Sequence, residues 1–229
     1  ANVSSAFEAA DSISNILASQ ELPMGLTESV KSRLISSGST LAVRSSATTE
    51  DLKDASFAGI YDTYLDGATG KSVLKRIRDV WTSYYTGRAI SYREQKGITH
   101  QTGSMAVLVM DLIDAEAAGV MFTRDPRDGS DRVLINVALG LGEGVVSGES
   151  EADSFVLESS SLEIIKRNVI DKEWMVTSRN GGAPNRVRIP SEKRGSPAVK
   201  DSTLKTLAKT AIEIKAITGS DRDIEFARK

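Results

Sequence analysis

Two carboxylates separated by one residue, Asp223 and Glu225, stand near the end of the chain between the apolar Ile224 and Phe226. In an extended strand successive side chains point to opposite faces, so both acids share one face and both apolar chains the other. Their attachment points are then about 7 Å apart. That spacing suits one or two Mg²⁺ ions bridging a polyphosphate, because a hard divalent cation takes oxygen ligands. An ordinary exposed edge strand has the same alternation, and the pattern alone leaves both readings open. A second candidate lies far upstream. Arg44 closes the apolar run Leu41-Ala42-Val43 and is followed at once by Ser45 and Ser46. A guanidinium placed there can fork onto two phosphate oxygens while hydroxyls and loop amides reach the others. A surface ion pair is the competing reading of Arg44. The small residues Ala55-Ser56-Phe57-Ala58-Gly59 could lie closely over such a phosphate chain.

Other motifs fail on their own chemistry. Gly70-Lys71-Ser72 lacks the glycine that a phosphate-wrapping loop needs five residues earlier, where Leu65 stands. Gly140-Leu141-Gly142-Glu143-Gly144 follows an apolar strand, but Val145 occupies the place of the third dinucleotide-binding glycine. His100 sits in a polar stretch and reads as a solvated loop histidine.

The elements that must position these residues can be read from periodicity. Phe7, Ala10, Ile13 and Leu17 share a helical face, and a second helix is expected after Thr27. A strand is predicted over 40–44, a loop over 45–59 and a strand over 60–65. One long amphipathic helix is predicted over 71–96, where Val73, Ile77, Val80 and Tyr84 step by four, three and four. After Gly103 strand-like segments dominate, at 105–113, 119–123, 132–139, 154–157, 163–170 and 174–177. The charge-rich 186–200 segment reads as a mobile surface loop. A last helix is expected after Asp201, with a stop at Gly219, and a strand over 223–227 follows it. The expected fold class is α+β, in two lobes over 1–110 and 111–229.

Composition narrows the chemistry further. The 229 residues include 29 basic and 31 acidic side chains, for a net charge of −2. That balance offers no electrostatic reason for a nucleic-acid or membrane-surface partner. No cysteine and one histidine exclude thiolate and multi-histidine metal centres, so any metal must be held by oxygens. The longest apolar runs, such as Ala106–Met110, are too short for a membrane span, and no signal peptide opens the chain. A cytoplasmic location fits.

The same residues carry a family resemblance. Val43-Arg44-Ser45-Ser46-Ala47-Thr48, Glu50-Asp51-Leu52 and Asp54–Gly59 resemble the ATP-binding domain of the phosphoenolpyruvate synthase and pyruvate-phosphate dikinase family, which also includes rifampicin phosphotransferases and glucan-water dikinases. Arg88–Arg93, Ala118–Pro126, Gly140–Glu143 with Val145–Gly148, and Asp223-Ile224-Glu225-Phe226 match in the same order.

The resemblance implies an ATP-grasp fold, two α+β lobes with the nucleotide site between them. By position it implies ATP and Mg²⁺ as cofactors, with Arg44 as the catalytic phosphate contact alongside Ser45, Ser46, Ala58 and Gly59. Asp223 and Glu225 would hold the metal, Glu225 reaching the nucleotide as well. Thr123 would line the site, and Asp111, Leu112 and Ile113 would offer backbone groups to adenine. The family places a glutamine and a basic residue just before that seam, where this chain has Met110 and Asp111. A glycine-rich lysine element, a Gln-x-Arg segment and a Thr-Ser-His motif typical of the family are not found, so the resemblance implies a domain truncated at both ends. The implied function is an ATP-dependent phosphotransferase. It would phosphorylate a histidine on a separate swivelling domain for transfer to pyruvate in a barrel domain, on the same chain or a partner subunit. The same module serving another acceptor, rifampicin or a glucan, and a non-catalytic nucleotide-binding regulatory module are the alternatives.

Overall fold

The computed structural model describes residues 3–34, 41–49, 51–52, 55–56, 60–68, 72–100, 103–142, 145, 151–177 and 184–229. They fall into two units, one of Ala1–Leu112 and one of Ile113–Asn180 with Pro184–Lys229. Both combine helices with antiparallel sheet, so the chain is mixed α and β.

The first unit contains α1 (Val3–Ser19), α2 (Met24–Leu34), β1 (Leu41–Ala47), the short pair β2 (Asp51–Leu52) and β3 (Ala55–Ser56), β4 (Thr63–Ala68), α3 (Val73–Ser83), α4 (Gly87–Gln95) and β5 (Met105–Asp111). Its main sheet has the order β4-β1-β5, with β1 central. The apolar face of α3, Val73, Ile77 and Val80, packs on Leu41 and Val43 of β1, with Val107 and Val109 of β5 beside them. The single helix expected over 71–96 is instead two. The chain turns at Tyr84–Thr86, and Thr86, in extended conformation, accepts a hydrogen bond from the Ala89 amide through its side chain. An N-cap threonine satisfies an amide that the new helix leaves without an internal partner. The second helix begins at Met24, earlier than Thr27, with the Thr27 amide already donating to the Pro23 carbonyl.

The second unit contains β6 (Ala117–Phe122), β7 (Arg132–Leu139), β8 (Asp153–Glu158), β9 (Ile164–Asn168), the hairpin β10 (Trp174–Thr177) and β11 (Asn185–Arg188), α5 (Ser191–Arg194), α6 (Asp201–Thr218) and β12 (Asp223–Arg228). Its five-stranded sheet has the order β12-β6-β7-β8-β9. Leu204, Ala208 and Ala211 of α6 pack on one face, against Met121, Ile135, Val137 and Phe155. At the centre, a Cβ added to Gly119 of β6 would strike the Asn136 carbonyl oxygen of β7, so only glycine lets the two backbones approach this closely. The helix ends at Gly219, whose left-handed φ of 69° closes it with a hydrogen bond to the Lys215 carbonyl.

The charge-rich segment expected as a surface loop is folded. It supplies β11, and its Ile189 and Val199 are buried. The anchor is Asp153, which is fully buried at the start of β8. Its Oδ1 accepts from Lys172 Nζ at 2.6 Å and from the Ile170 amide at 3.1 Å, and its Oδ2 accepts from the Ala198 amide at 2.8 Å. Lys172 is 1% exposed. Among the described residues no helix is long and apolar enough to cross a membrane.

Candidate functional site

On β1 the structure corrects the local expectation. The strand continues through Ala47 rather than giving way to a loop after Arg44, because its pairing with β5 runs unbroken from Leu41↔Asp111 to Ala47↔Met105. Strand parity then separates the three predicted phosphate contacts. Leu41, Val43 and Ser45 face the α3 side, whereas Arg44 and Ser46 face the other. Arg44 is half-buried and lies opposite Leu108, which is 50% exposed. Asp111 closes β5 opposite Leu41, Leu112 ends the first unit, and Ile113 opens the second with its side chain exposed. Ala58 and Gly59 lie outside the described residues.

On the second unit, β12 is an edge strand paired to β6 in the register Asp223↔Phe122, Ile224↔Met121, Glu225↔Val120 and Phe226↔Gly119. Ile224 and Phe226 pack into the α6-side core, and Asp223 and Glu225 are exposed on the opposite face. The alternation expected from four letters of sequence is therefore present in three dimensions. That opposite face continues through Phe122, Val120 and Ala138, which cluster with Val145 and Ala152.

Thr123 follows Phe122 and is 1% exposed. Its hydroxyl accepts from the Arg222 amide at 2.7 Å and donates to Asp221 Oδ1 at 3.4 Å, and its own amide donates to the Arg222 carbonyl at 3.0 Å. The hydroxyl of Thr123, a residue for which the family resemblance implies a place in the nucleotide site, joins the end of β6 to the residues leading into β12. Asp221 collects two further donors, Lys215 Nζ at 2.8 Å and Arg124 Nε at 2.6 Å. These hydrogen bonds, that from Lys215 first, hold its carboxyl down at about 2, from an ordinary 3.8. Lys215 and Arg124 are pushed upward by the same contacts, Lys215 chiefly by its bond to Asp131 and then by Asp221. The next turn is locked by Asp125, whose carboxylate takes the amide, Nε and Nη2 of Arg127.

Sequence reasoning missed Asp221, Arg124 and Lys215 as a cluster. The separation of 97 between Arg124 and Asp221 leaves no local pattern to find. It also missed the partner of His100. Arg93, fully buried and stacked 4.0 Å over the Tyr84 ring, donates from Nε to His100 Nδ1 at 3.1 Å.

As to what this arrangement can bind, two exposed carboxylates on one strand face supply hard oxygen ligands, and the described residues contain no group of three or more acids or histidines that could hold a metal. Exposed carboxylate oxygens are donors of the kind a hard divalent cation takes.

Comparison with known proteins gives one family match over residues 1–229, to the pyruvate phosphate dikinase AMP/ATP-binding domain. A probable phosphoenolpyruvate synthase of Methanocaldococcus jannaschii is 41% identical over 189 residues, covering 82% of this chain and 16% of that protein. One from Methanothermobacter thermautotrophicus is 37% identical over 94% of this chain and 32% of its own length. A rifampicin phosphotransferase of Bacillus cereus is 34% identical over 96% of this chain and 25% of its own. The chain thus spans a third or less of each of these relatives.

Proposed function

We propose that this chain, which belongs to the pyruvate phosphate dikinase AMP/ATP-binding domain family, is the Mg-ATP-binding part of a phosphoenolpyruvate synthase-like dikinase. In this reading the two units are the lobes of an ATP-grasp fold. The observation that carries it is the placement of the chemistry within each sheet. Arg44 in the first unit, and Asp223 with Glu225 in the second, stand on the face opposite the one their own helix packs.

Within the chain the work is positioning and charge neutralisation. Arg44 forks onto phosphate oxygens and resists their mutual repulsion, a task that a planar two-pronged donor performs better than a point charge. Asp223 and Glu225 hold the cation side of the polyphosphate. Mg²⁺ held by Asp223 and Glu225 would offset the negative charge that develops on the phosphate. Asp111, Leu112 and Ile113 offer backbone groups to the base. The phosphoryl acceptor in this reading is a histidine on a separate swivelling domain, which hands the group to pyruvate, with the reaction taking place in the cytoplasm. The similarity to a rifampicin phosphotransferase favours a second reading, the same ATP module serving an antibiotic acceptor. Both readings share every step inside this chain.

Calorimetric titration of ATP with and without Mg²⁺, on the unaltered protein and on Glu225→Gln, tests the proposal. Binding should depend on Mg²⁺, and the substitution should weaken Mg-ATP at least tenfold, about 1.4 kcal/mol, while leaving the fold unchanged. Equal Mg-ATP affinity in both proteins would return the acids to the role of an exposed edge strand.

A further inference from the structure

We infer that Thr123 and Asp221 are positioning residues for the carboxylate pair, fixing the start of β12 so that Asp223 and Glu225 are in place before a metal arrives. The inference rests on the reading of those two acids as metal ligands. Asp223 is the first residue of an edge strand, where a ladder to a single neighbour is most prone to fray. Ile224 and Phe226 hold the strand's underside to the core.

The lock at that end is built from side chains. Thr123 Oγ1 takes the place of a backbone carbonyl as acceptor for the Arg222 amide, while the Thr123 amide donates to the Arg222 carbonyl. The ladder between β6 and β12 therefore extends one residue beyond Asp223. Asp221 then ties this junction to two other elements, to α6 through Lys215 and to the exit of β6 through Arg124. With Gly219 closing α6, the connection 219–222 is held at both ends. The Thr123 hydroxyl is engaged by Asp221 and the Arg222 amide, so its influence on the metal acts through β12. Ligand geometry must be held to about 0.5 Å for function, and an exposed strand end does not supply that by itself.

The test compares Asp221→Asn, Thr123→Val and Thr123→Ser with Glu225→Gln in the same protein. Three quantities are read: affinity for Mg-ATP, affinity for metal-free ATP, and melting temperature without ligand. Asp221→Asn and Thr123→Val should weaken Mg-ATP about tenfold, in the range seen when groups behind a metal's ligands are removed. Metal-free ATP should change less than about twofold on the same argument, and Thr123→Ser should restore the unaltered affinity. Asp221 is 40% exposed, so its asparagine variant gives a folded test independent of the buried threonine. Equal weakening of metal-bound and metal-free ATP would make the lock a purely structural feature and overturn the inference. So would an effect of Glu225→Gln on metal dependence with none from Asp221→Asn. If Glu225→Gln itself leaves metal dependence unchanged, the reading of the acids as ligands falls, and the inference falls with it.

Discussion

Replacing Lys172 by Met leaves the Asp153 carboxylate in a site with no exposure, deprived of the ammonium 2.6 Å from Oδ1. The two backbone donors, from Ile170 and Ala198, remain. They satisfy lone pairs but not the charge. Removing one partner of a buried pair costs about 3–5 kcal/mol. At roughly 4 °C per kcal/mol for a folding unit of this size, the second unit should melt some 12–20 °C lower. The double variant Asp153→Leu with Lys172→Met removes both charges and should lose less than the sum of the single losses. It will not recover fully, because the Ile170 and Ala198 amides are then left without an acceptor, at about 1–3 kcal/mol each. Calorimetric melting of the three variants reads each loss and, through the cycle, the coupling. A Lys172→Met shift under about 3 °C, or strict additivity in the double variant, would refute the argument that these two charges hold each other in the interior.

Arg44→Lys should weaken Mg-ATP about tenfold, roughly 1.4 kcal/mol, with the ligand-free melting temperature changed by less than about 2 °C. Leu41 and Val43 carry the packing of that strand, so a collapse in stability at unchanged affinity per folded molecule would make Arg44 an ion-pair residue. Gly119→Ala should destabilise by about 1–3 kcal/mol, read by urea denaturation, because the new methyl meets the Asn136 carbonyl. The depressed carboxyl of Asp221 contributes stability that is complete above pH 3.8 and lost as pH falls through about 2. Urea midpoints should therefore fall below pH 4, and Asp221→Asn should flatten that part of the profile.

Legibility from sequence depended on whether the deciding interaction was local. β7 was readable to its end residues because its apolar run is bounded by turns, and α6 because Gly219 marks its end. The carboxylate face of β12 was readable because parity needs only four consecutive residues. The extension of β1 through Ser45-Ser46-Ala47 was not. Those small polar residues have a turn-like composition, and what makes them strand is pairing with β5, some sixty positions away. The break at Tyr84–Thr86 was masked by apolar spacing that continues into α4, although Thr86 is a good cap. β11 escaped because three of its four residues are exposed and charged or polar. Thr123 carried a family expectation of ligand contact, and nothing in its neighbourhood announces the partners 98 and 99 residues downstream that occupy its hydroxyl.

The alternation along β12 also bears on how such a chain can diverge. Along that strand, neighbouring codons alternate between two different selective pressures, shape complementarity on one side and solution chemistry on the other. A point change at Asp223 or Glu225 can retune or abolish ligand chemistry without disturbing the residues that hold the strand down, and a change at Ile224 or Phe226 does the reverse. An inserted or deleted residue has no such freedom. Slipping β12 by one position would drive carboxylates into the layer beneath α6 and expose a phenylalanine where the acids stood. Descendants of this domain can therefore exchange letters along this strand, but changes of length must fall in the connections on either side of it.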